Sequence, residues 1–161
     1  MAKAKIPTEK VNLISEKVRI LKKKTTKFTT KAIIANKMTP LEKMEKLKSG
    51  VYNSDLEKLK ARTGLPYEKL SKALAVTKTT LLNKKRGTQK FNASLSESII
   101  GLEDIYLYGY EVFEDQVKFK QWMFTPNRAL GGKSPYDIID NQFGREEVKN
   151  LIGRIDYGVY S

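Results

Sequence analysis

The sequence predicts an all-α protein, and three observations carry that prediction. Apolar residues recur at helical spacing from Thr39 onward, residues suited to start helices precede those runs, and no alternating strand of any length appears. With 161 residues, 40% of them hydrophobic, the chain is long enough to bury a real core and is not disordered as a whole.

The first 38 residues are expected to form a loosely ordered basic arm. They are rich in Lys and Thr, and their short apolar clusters follow no sustained period, although residues 18–21 suit a short strand. We refer to residues 1–38 as the arm.

Four short helices are predicted after the arm. The first begins with a capping box, because Thr39 is followed by Pro40 and then by Glu42 at the third helical position. Its apolar residues are Leu41, Met44 and Leu47, expected to face inward, and Gly50 ends it. The second helix starts from a cap at Ser54, has Leu56 and Leu59 inward and ends at Gly64. The third starts near Pro66 and carries Leu70, Ala73 and Leu74, and the fourth runs from a cap at Thr77 to about Arg86 and is closed by Gly87.

A long helix is predicted over residues 95–113, followed by three shorter helices. A helix that is apolar on two sides is expected at the centre of a domain or in a dimer interface. The main apolar stripe of the 95–113 helix is Leu95, Ile99, Leu102, Tyr106, Tyr110 and Phe113, and a second apolar flank is formed by Ile100, Ile105 and Leu107.

The first of the three later helices is predicted over 117–124, before Pro126. The second starts at Ser134, after a loop with Gly131 and Gly132, and the third follows Gly144, with Val148, Leu151, Ile152 and Ile155 facing inward.

The charge is divided unevenly between the two halves of the chain. Residues 1–90 hold 24 Lys and Arg against 7 Asp and Glu, a net charge of +17, whereas residues 91–161 hold 7 against 11, a net charge of −4. A basic half attracts polyanions such as nucleic acid, while the acidic half is expected to serve another task. We therefore predict three parts, with boundaries at 1–38, 39–92 and 93–161.

The composition excludes several classes of site. The chain has neither Cys nor His, so disulfides, thiol nucleophiles, the usual zinc sites and histidine-based catalytic triads are ruled out. Charged residues interrupt the N-terminus before any apolar stretch, and the uncharged runs are too short to span a bilayer. We expect a cytoplasmic protein that is not an enzyme, has no cofactor or metal, and does not bind a membrane.

Residues 67–86 follow the pattern of a DNA-binding helix-turn-helix. Leu70, Leu74, Val76 and Leu81 fall where two such helices cross, although Ser71 and Ala75 replace the usual alanine and turn glycine, so a looser or differently wound turn is expected. The alternative is a pair of bundle helices whose polar face is merely solvated. The predicted DNA-binding residues are Thr77, Lys78, Thr79, Thr80, Asn83, Lys84, Lys85 and Arg86, whose side chains suit phosphates and base edges.

The acidic half resembles a known family over a long and ordered stretch. The chain is similar to the Xre/MbcA/ParS toxin-binding domain, densely over 95–161 and more loosely from about residue 40. The segments that carry the resemblance are 95–98, 112–113, the run 122–135 (Trp-Met-Phe-Thr-Pro-Asn-Arg-Ala-Leu-Gly-Gly-Lys-Ser-Pro), 144–148 and 154–158, with Thr80-Leu81 in the helix-turn-helix.

The resemblance implies an antitoxin with two modules. An Xre-like helix-turn-helix would bind operator DNA and repress the operon, and a small C-terminal toxin-binding domain would block a RES-domain toxin that depletes NAD⁺. The last residues are apolar-aromatic and too short to form a core, and tyrosine is a common interface anchor. With the resemblance, the predicted toxin-binding residues are Arg154, Asp156, Tyr157, Gly158, Val159, Tyr160 and Ser161, whereas residues alone would favour tyrosines folded back onto the last helix.

Two alternatives stay open from the sequence. The first concerns the homodimer that we expect, which could form through the N-terminal half or through the 95–113 helix. The second concerns function: a stand-alone helix-turn-helix regulator, whose acidic half only dimerises, would have the same basic N-terminal half as an antitoxin. An enzyme is the least favoured, because no convergent carboxylate or lysine site accompanies the missing His and Cys.

Overall fold

The computed structural model describes residues 37–85 and 88–158. Within those ranges every regular element is helical and no strand occurs, which confirms the all-α class. The arm lies outside the described residues up to position 36, and with it the strand expected at 18–21. The helices are α1 (Pro40–Ser49), α2 (Asn53–Thr63), α3 (Tyr67–Ala73), α4 (Lys78–Lys85), α5 (Ala93–Phe113), α6 (Gln116–Phe124) and α7 (Gln142–Asp156), with 3-10 turns at Arg128–Leu130 and Pro135–Asp137.

The long helix α5 is the centre of the fold, as its double apolar pattern predicts. Helices α1, α2, α6 and α7 all pack against it. The predicted stripe is confirmed, since Phe113 is partly buried against the core and the other five members are buried. The second flank of Ile100, Ile105 and Leu107 is buried within the same chain. Both apolar sides of α5 therefore face this chain's own interior.

Aromatic side chains join α5 to α6. The ring of Phe119 meets Tyr106 and Tyr110 edge-on, with 5.4 Å between ring centroids in each pair. Gly109 makes the approach possible, because a Cβ atom there would lie 2.0 Å from the Phe119 ring. The Tyr110 hydroxyl also donates to the carbonyl of Arg62 at 2.8 Å, which ties α5 to the end of α2. The absence of a side chain at position 109 thus sets the α5–α6 spacing.

One hydrophobic core runs through both predicted domains. Leu59 and Leu70, which precede the predicted boundary at 92/93, belong to the same buried cluster as Ile152, which follows it. An ion pair between Arg62 of α2 and Glu103 of α5 crosses the same boundary, and burial of the Glu103 carboxyl raises its pKa despite the guanidinium. The domain boundaries stay a prediction, and the elements on either side share a core.

The first two helix starts test the predicted caps. The capping box at Thr39 is confirmed, because its N–H donates to the Glu42 carboxylate at 2.7 Å and its Oγ1 accepts from the Glu42 N–H at 3.3 Å. The cap predicted at Ser54 is wrong, since α2 begins at Asn53. The Tyr52 N–H donates to the Asp55 carboxylate at 3.0 Å, so that carboxylate starts the helix earlier.

The start predicted for the last helix, after Gly144, is also wrong. The Asn141 side chain accepts the Gly144 N–H at 3.0 Å, and α7 begins at Gln142 with the glycine inside its first turn. A Cβ atom on Gly144 would lie 1.6 Å from the carbonyl oxygen of Ile138. This glycine is therefore a close-approach residue and not a helix boundary.

Helix α1 lies on the surface of the core. Leu47 is partly buried against the core, whereas Leu41 and Met44, predicted to share its apolar face, are 66% and 55% exposed. The Lys43 ammonium donates to the Asp104 carboxylate of α5 at 2.5 Å, so a part-buried ion pair helps to hold the helix. The prediction that all three apolar residues turn inward is wrong, because α1 presents most of that face to solvent.

Candidate functional site

Helices α3 and α4 form the predicted helix-turn-helix pair. They pack directly on one another, with Leu70, Leu74 and Leu81 buried and Val76 partly buried at the crossing. This confirms the four positions at which apolar side chains were expected. The crossing residues anchor α4 from beneath, so its other side faces away from the core.

The turn between these helices keeps left-handed geometry without a glycine. Ala75 has a φ of 55°. Its N–H donates to the Lys72 carbonyl at 3.0 Å, and the Val76 N–H donates to the Ser71 carbonyl at 3.0 Å. These two bonds are the paired contacts of a Schellman motif, which satisfy the last carbonyls of α3. The expectation of a looser turn is therefore wrong. Ala75 adopts the left-handed conformation at a cost of about 1 kcal/mol, and the two hydrogen bonds to the last carbonyls of α3 offset that cost.

The outer side of α4 presents most of the predicted DNA-binding residues. The Thr77 Oγ1 accepts the Thr80 N–H at 3.1 Å, which confirms the predicted cap. Lys84 is half-buried, with its ammonium 5.5 Å from the Phe91 ring centroid. Thr77, Lys78, Thr79 and Asn83 are exposed, Thr80 is half-buried, Lys85 is the last helical residue, and Arg86 lies outside the described residues.

The lysines of α3 contact the C-terminal half instead of solvent alone. The Lys69 ammonium lies 4.1 Å from the Phe124 ring centroid, and the Lys72 ammonium lies 3.4 Å from the Asp137 carboxylate. The Tyr136 hydroxyl donates to the Lys69 carbonyl at 2.8 Å. Helix α3 is thus attached to the segment that follows α6, a connection that no sequence pattern indicated.

The same segment has perturbed pKa values that follow from these contacts. The Ser134 hydroxyl donates to the Asp137 carboxylate at 2.6 Å, and this hydrogen bond lowers the pKa of Asp137. Burial raises the pKa of the Tyr136 hydroxyl, and the Asp137 charge raises it further. At neutral pH, Asp137 is therefore ionised and can pair with Lys72, and Tyr136 is neutral and can donate its hydrogen bond to the Lys69 carbonyl.

The run 122–135, which carries much of the resemblance, is folded as a structural unit. The Trp122 ring stacks on Phe119 with 5.9 Å between centroids. The Asn127 N–H donates to the Lys133 carbonyl at 2.9 Å, and the Gly132 N–H donates to the Asn127 carbonyl at 3.0 Å, which closes the loop. Gly131 and Gly132 have positive φ angles of 64° and 82°, as this tight turn requires.

The predicted toxin-binding residues lie at the end of α7. Arg154 and Asp156 are exposed, and Tyr108 donates to the Asp156 carboxylate at 3.5 Å. Tyr157 is 83% exposed, so it does not fold back onto the helix, and Gly158 follows with φ of 69°. The structure brings these four residues together; the remaining three, Val159, Tyr160 and Ser161, lie outside the described residues.

A second residue group at this end was not predicted. The Lys37 ammonium bonds the Glu111 carboxylate at 2.7 Å and lies 5.1 Å from the Tyr108 ring centroid. Burial and the nearby Asp156 charge raise the pKa of the Tyr108 hydroxyl. The end of the arm therefore lies beside the end of α7, an arrangement that only the folded chain reveals.

Phe143 is a further exposed residue that was not predicted, and its side chain is 82% exposed. The signal was available, because Phe143 falls opposite the inward residues Val148 and Ile152 when α7 is extended back to Gln142. The error in the helix start concealed it.

No helix in the described ranges is long and apolar enough to cross a membrane. Between residues 37 and 85 and between 88 and 158, no three acidic side chains are grouped to hold a metal ion.

The chain is similar to known antitoxins. Residues 109–158 match the family model of the antitoxin Xre/MbcA/ParS C-terminal toxin-binding domain, a range from the last turns of α5 through α7. An Antitoxin Xre from Photorhabdus laumondii subsp. laumondii is 37% identical over 76 residues, which are 47% of this chain and 51% of that protein.

Two longer matches cover more of the chain at lower identity. An Antitoxin Xre from Yersinia enterocolitica is 25% identical over 119 residues, 73% of this chain and 80% of that protein. A Prs ADP-ribosylating antitoxin from Sphingobium sp. is 26% identical over 148 residues, 86% of this chain and 92% of that protein. The chain thus spans about half the length of the Photorhabdus relative and most of the other two.

Proposed function

Since the chain belongs to the Xre/MbcA/ParS-type antitoxins, we propose that it neutralises a cognate RES-domain toxin by occluding the toxin's active site with its C-terminal region. The observation that carries this proposal is the exposed Tyr157 at the end of α7, inside the range that matches a toxin-binding domain. The name of the Sphingobium relative refers to ADP-ribosylation, a reaction that takes its ADP-ribose from NAD⁺, and this supports a partner that acts on NAD⁺.

The geometry of the α7 end suits insertion into a cleft. The residues from 157 onward follow a rigid helix whose inner face is buried on α5, so the presenting end is already positioned. Tyr157 brings a large contact area with few rotatable bonds, and Arg154 and Asp156 supply charges on either side of it. Gly158 lets the chain turn away from the helix axis.

Deleting residues 157–161 is expected to abolish neutralisation and to leave the fold intact. Tyr157 and Gly158 are exposed, so their loss removes no core contact. The measurement is NAD⁺ consumption by the purified toxin with full-length or truncated protein, together with thermal unfolding of each. A truncated protein that still inhibits the toxin at equal concentration would place the inhibitory surface elsewhere.

We further propose that the protein binds operator DNA through α4 and represses its own operon. The exposed Lys78, Thr79 and Asn83 suit the task, since lysine and threonine bind phosphates and asparagine pairs with adenine in the major groove. The net charge of +17 in residues 1–90 supplies the long-range attraction.

We propose that operator binding uses a homodimer formed through the N-terminal half. A helix-turn-helix protein usually places two copies on two half-sites. The 95–113 helix, the other predicted interface, buries both apolar flanks within its own chain. The exposed Leu41 and Met44 of α1 are apolar residues that a second copy would cover.

Lys78→Ala is expected to weaken operator binding several-fold and to reduce the slope of log K against log salt by about 1. The physical reason is the loss of one phosphate contact and of the counterion that it releases. Lys118→Ala, at an exposed lysine of α6, is the matched control and is expected to leave affinity and slope unchanged. Equal behaviour of the two variants over several salt concentrations would exclude α4 as the recognition helix.

The antitoxin relatives favour this function over a stand-alone regulator, whose C-terminal half would only dimerise. We propose no catalytic activity for the chain. We place it in the cytoplasm, associated with the nucleoid while it occupies the operator.

A further inference from the structure

The two most exposed large apolar side chains of the described residues are in the first turn of α7 and at the residue that caps its C-terminal end. Phe143 and Tyr157 are 82% and 83% exposed and stand at opposite ends of α7. They are 14 residues apart in sequence, which is about 21 Å along a helix. Neither ring contributes to the core, so both are available to a partner.

These two residues belong to one continuous stripe. Successive steps of 4, 3, 4 and 3 residues keep a side chain on one face of an α-helix. The opposite face, with Val148 and Ile152, is buried in the core. We call this outward face the α7 stripe; its members are Phe143, Glu147, Asn150, Arg154 and Tyr157.

The α7 stripe is held rigidly from behind. Asn141 caps the helix start, and Gly144 brings the backbone against the Ile138 carbonyl. Near its middle, the Lys149 ammonium donates to the Asp104 carboxylate of α5 at 3.1 Å. A surface that is already ordered loses little conformational entropy when it binds a partner.

We propose that the α7 stripe is a docking surface for the toxin that extends from the proposed inhibitory tail, with Tyr157 common to both, back along the helix to Phe143. The proposal rests on the proposed function, because it names a second contact with the same partner. The partner surface would offer two apolar pockets about 21 Å apart for the Phe143 and Tyr157 rings, with a cation opposite Glu147 and a carboxylate opposite Arg154.

Two observations favour the toxin over a second copy of this chain as the occupant. The α7 stripe lies within residues 109–158, the range that matches a toxin-binding domain. It also ends at Tyr157, so it is continuous with the proposed inhibitory tail. The exposed apolar residues of α1 are in the other half of the sequence and are free for a second copy.

The test compares Phe143→Ala with a matched control in the full-length chain. The control is Val117→Ala, at an exposed apolar residue of α6 within the same family match but outside the α7 stripe. Affinity for the proposed RES-domain toxin is measured by calorimetry, and oligomeric state by light scattering. We expect Phe143→Ala to weaken binding about 10-fold or more, Phe143→Tyr to restore most of it, and Val117→Ala to leave it unchanged.

The outcomes separate this inference from the proposed function. If Phe143→Ala binds like the unmodified chain while deletion of 157–161 abolishes inhibition, the α7 stripe is not a docking surface and the proposed function stands. If the deletion still inhibits but Phe143→Ala weakens binding, the docking surface stands and the occluding tail does not. If Phe143→Ala converts a dimer to a monomer while its toxin affinity is unchanged, the α7 stripe binds a second copy of the chain and the inference is overturned.

Discussion

Gly144→Ala is expected to lower the free energy of unfolding by about 3 kcal/mol or more. The added Cβ atom would lie 1.6 Å from the carbonyl oxygen of Ile138, a backbone atom that cannot rotate away. Relief requires the first turn of α7 to move off the Pro135–Asp137 turn, which disturbs the Asn141 cap as well. Denaturant unfolding monitored by circular dichroism measures the change.

The matched control is a second glycine in the same helix. At Gly153 the nearest atom to an added Cβ is the Tyr108 hydroxyl at 3.4 Å, which is an ordinary contact. Alanine is favoured over glycine by about 1 kcal/mol in a helix interior, so Gly153→Ala is expected to be neutral or stabilising. Equal destabilisation by both substitutions would show that general helix effects, and not the approach to Ile138, decide the outcome.

Phe119→Ala is expected to destabilise the protein by about 3–5 kcal/mol, whereas Phe143→Ala changes stability by less than about 0.5 kcal/mol. The first phenylalanine is fully buried and meets Tyr106 and Tyr110 edge-on, while the second is mostly exposed. Thermal and denaturant unfolding of the two variants measures the difference directly.

The Phe119 variant also has a functional consequence. Its side chain holds α6 on α5, and α6 leads into the segment that contacts Lys69 of α3. Loss of this packing is expected to weaken both toxin and operator binding in parallel with stability. A Phe119→Ala protein that unfolds at the same denaturant concentration as the unmodified chain would contradict the central place of the aromatic contacts.

The parts of the fold that depend on local sequence were predicted well. The buried stripe of α5 follows from spacing alone, and so do the caps at Thr39 and Thr77. These features involve residues a few positions apart, so they depend mainly on neighbours within one or two helical turns. Where two local signals competed, the prediction failed: Asp55 starts α2 ahead of the cap expected at Ser54.

The candidate sites divide in the same way. The outward side chains of α4 could be placed from sequence, because the inward residues of the helix identify the opposite face. The exposed Tyr157 was expected only through the family resemblance, since the residues alone favoured tyrosines folded back onto the last helix. Phe143 was missed because Gly144 was taken as a boundary. The contacts of Lys69 and Lys72 with the C-terminal half were not predictable, since their partners are more than fifty positions away.

Helix content, the position of most helix ends and the unequal charge of the two halves were determined by the sequence alone. The tertiary structure decided which apolar faces are covered, why Gly144 and Gly109 must lack side chains, and how α3 is joined to the C-terminal half. The physical reason is range: helix caps and periodicity depend on neighbours within one or two turns. Burial and close backbone approach depend on atoms that only folding brings together.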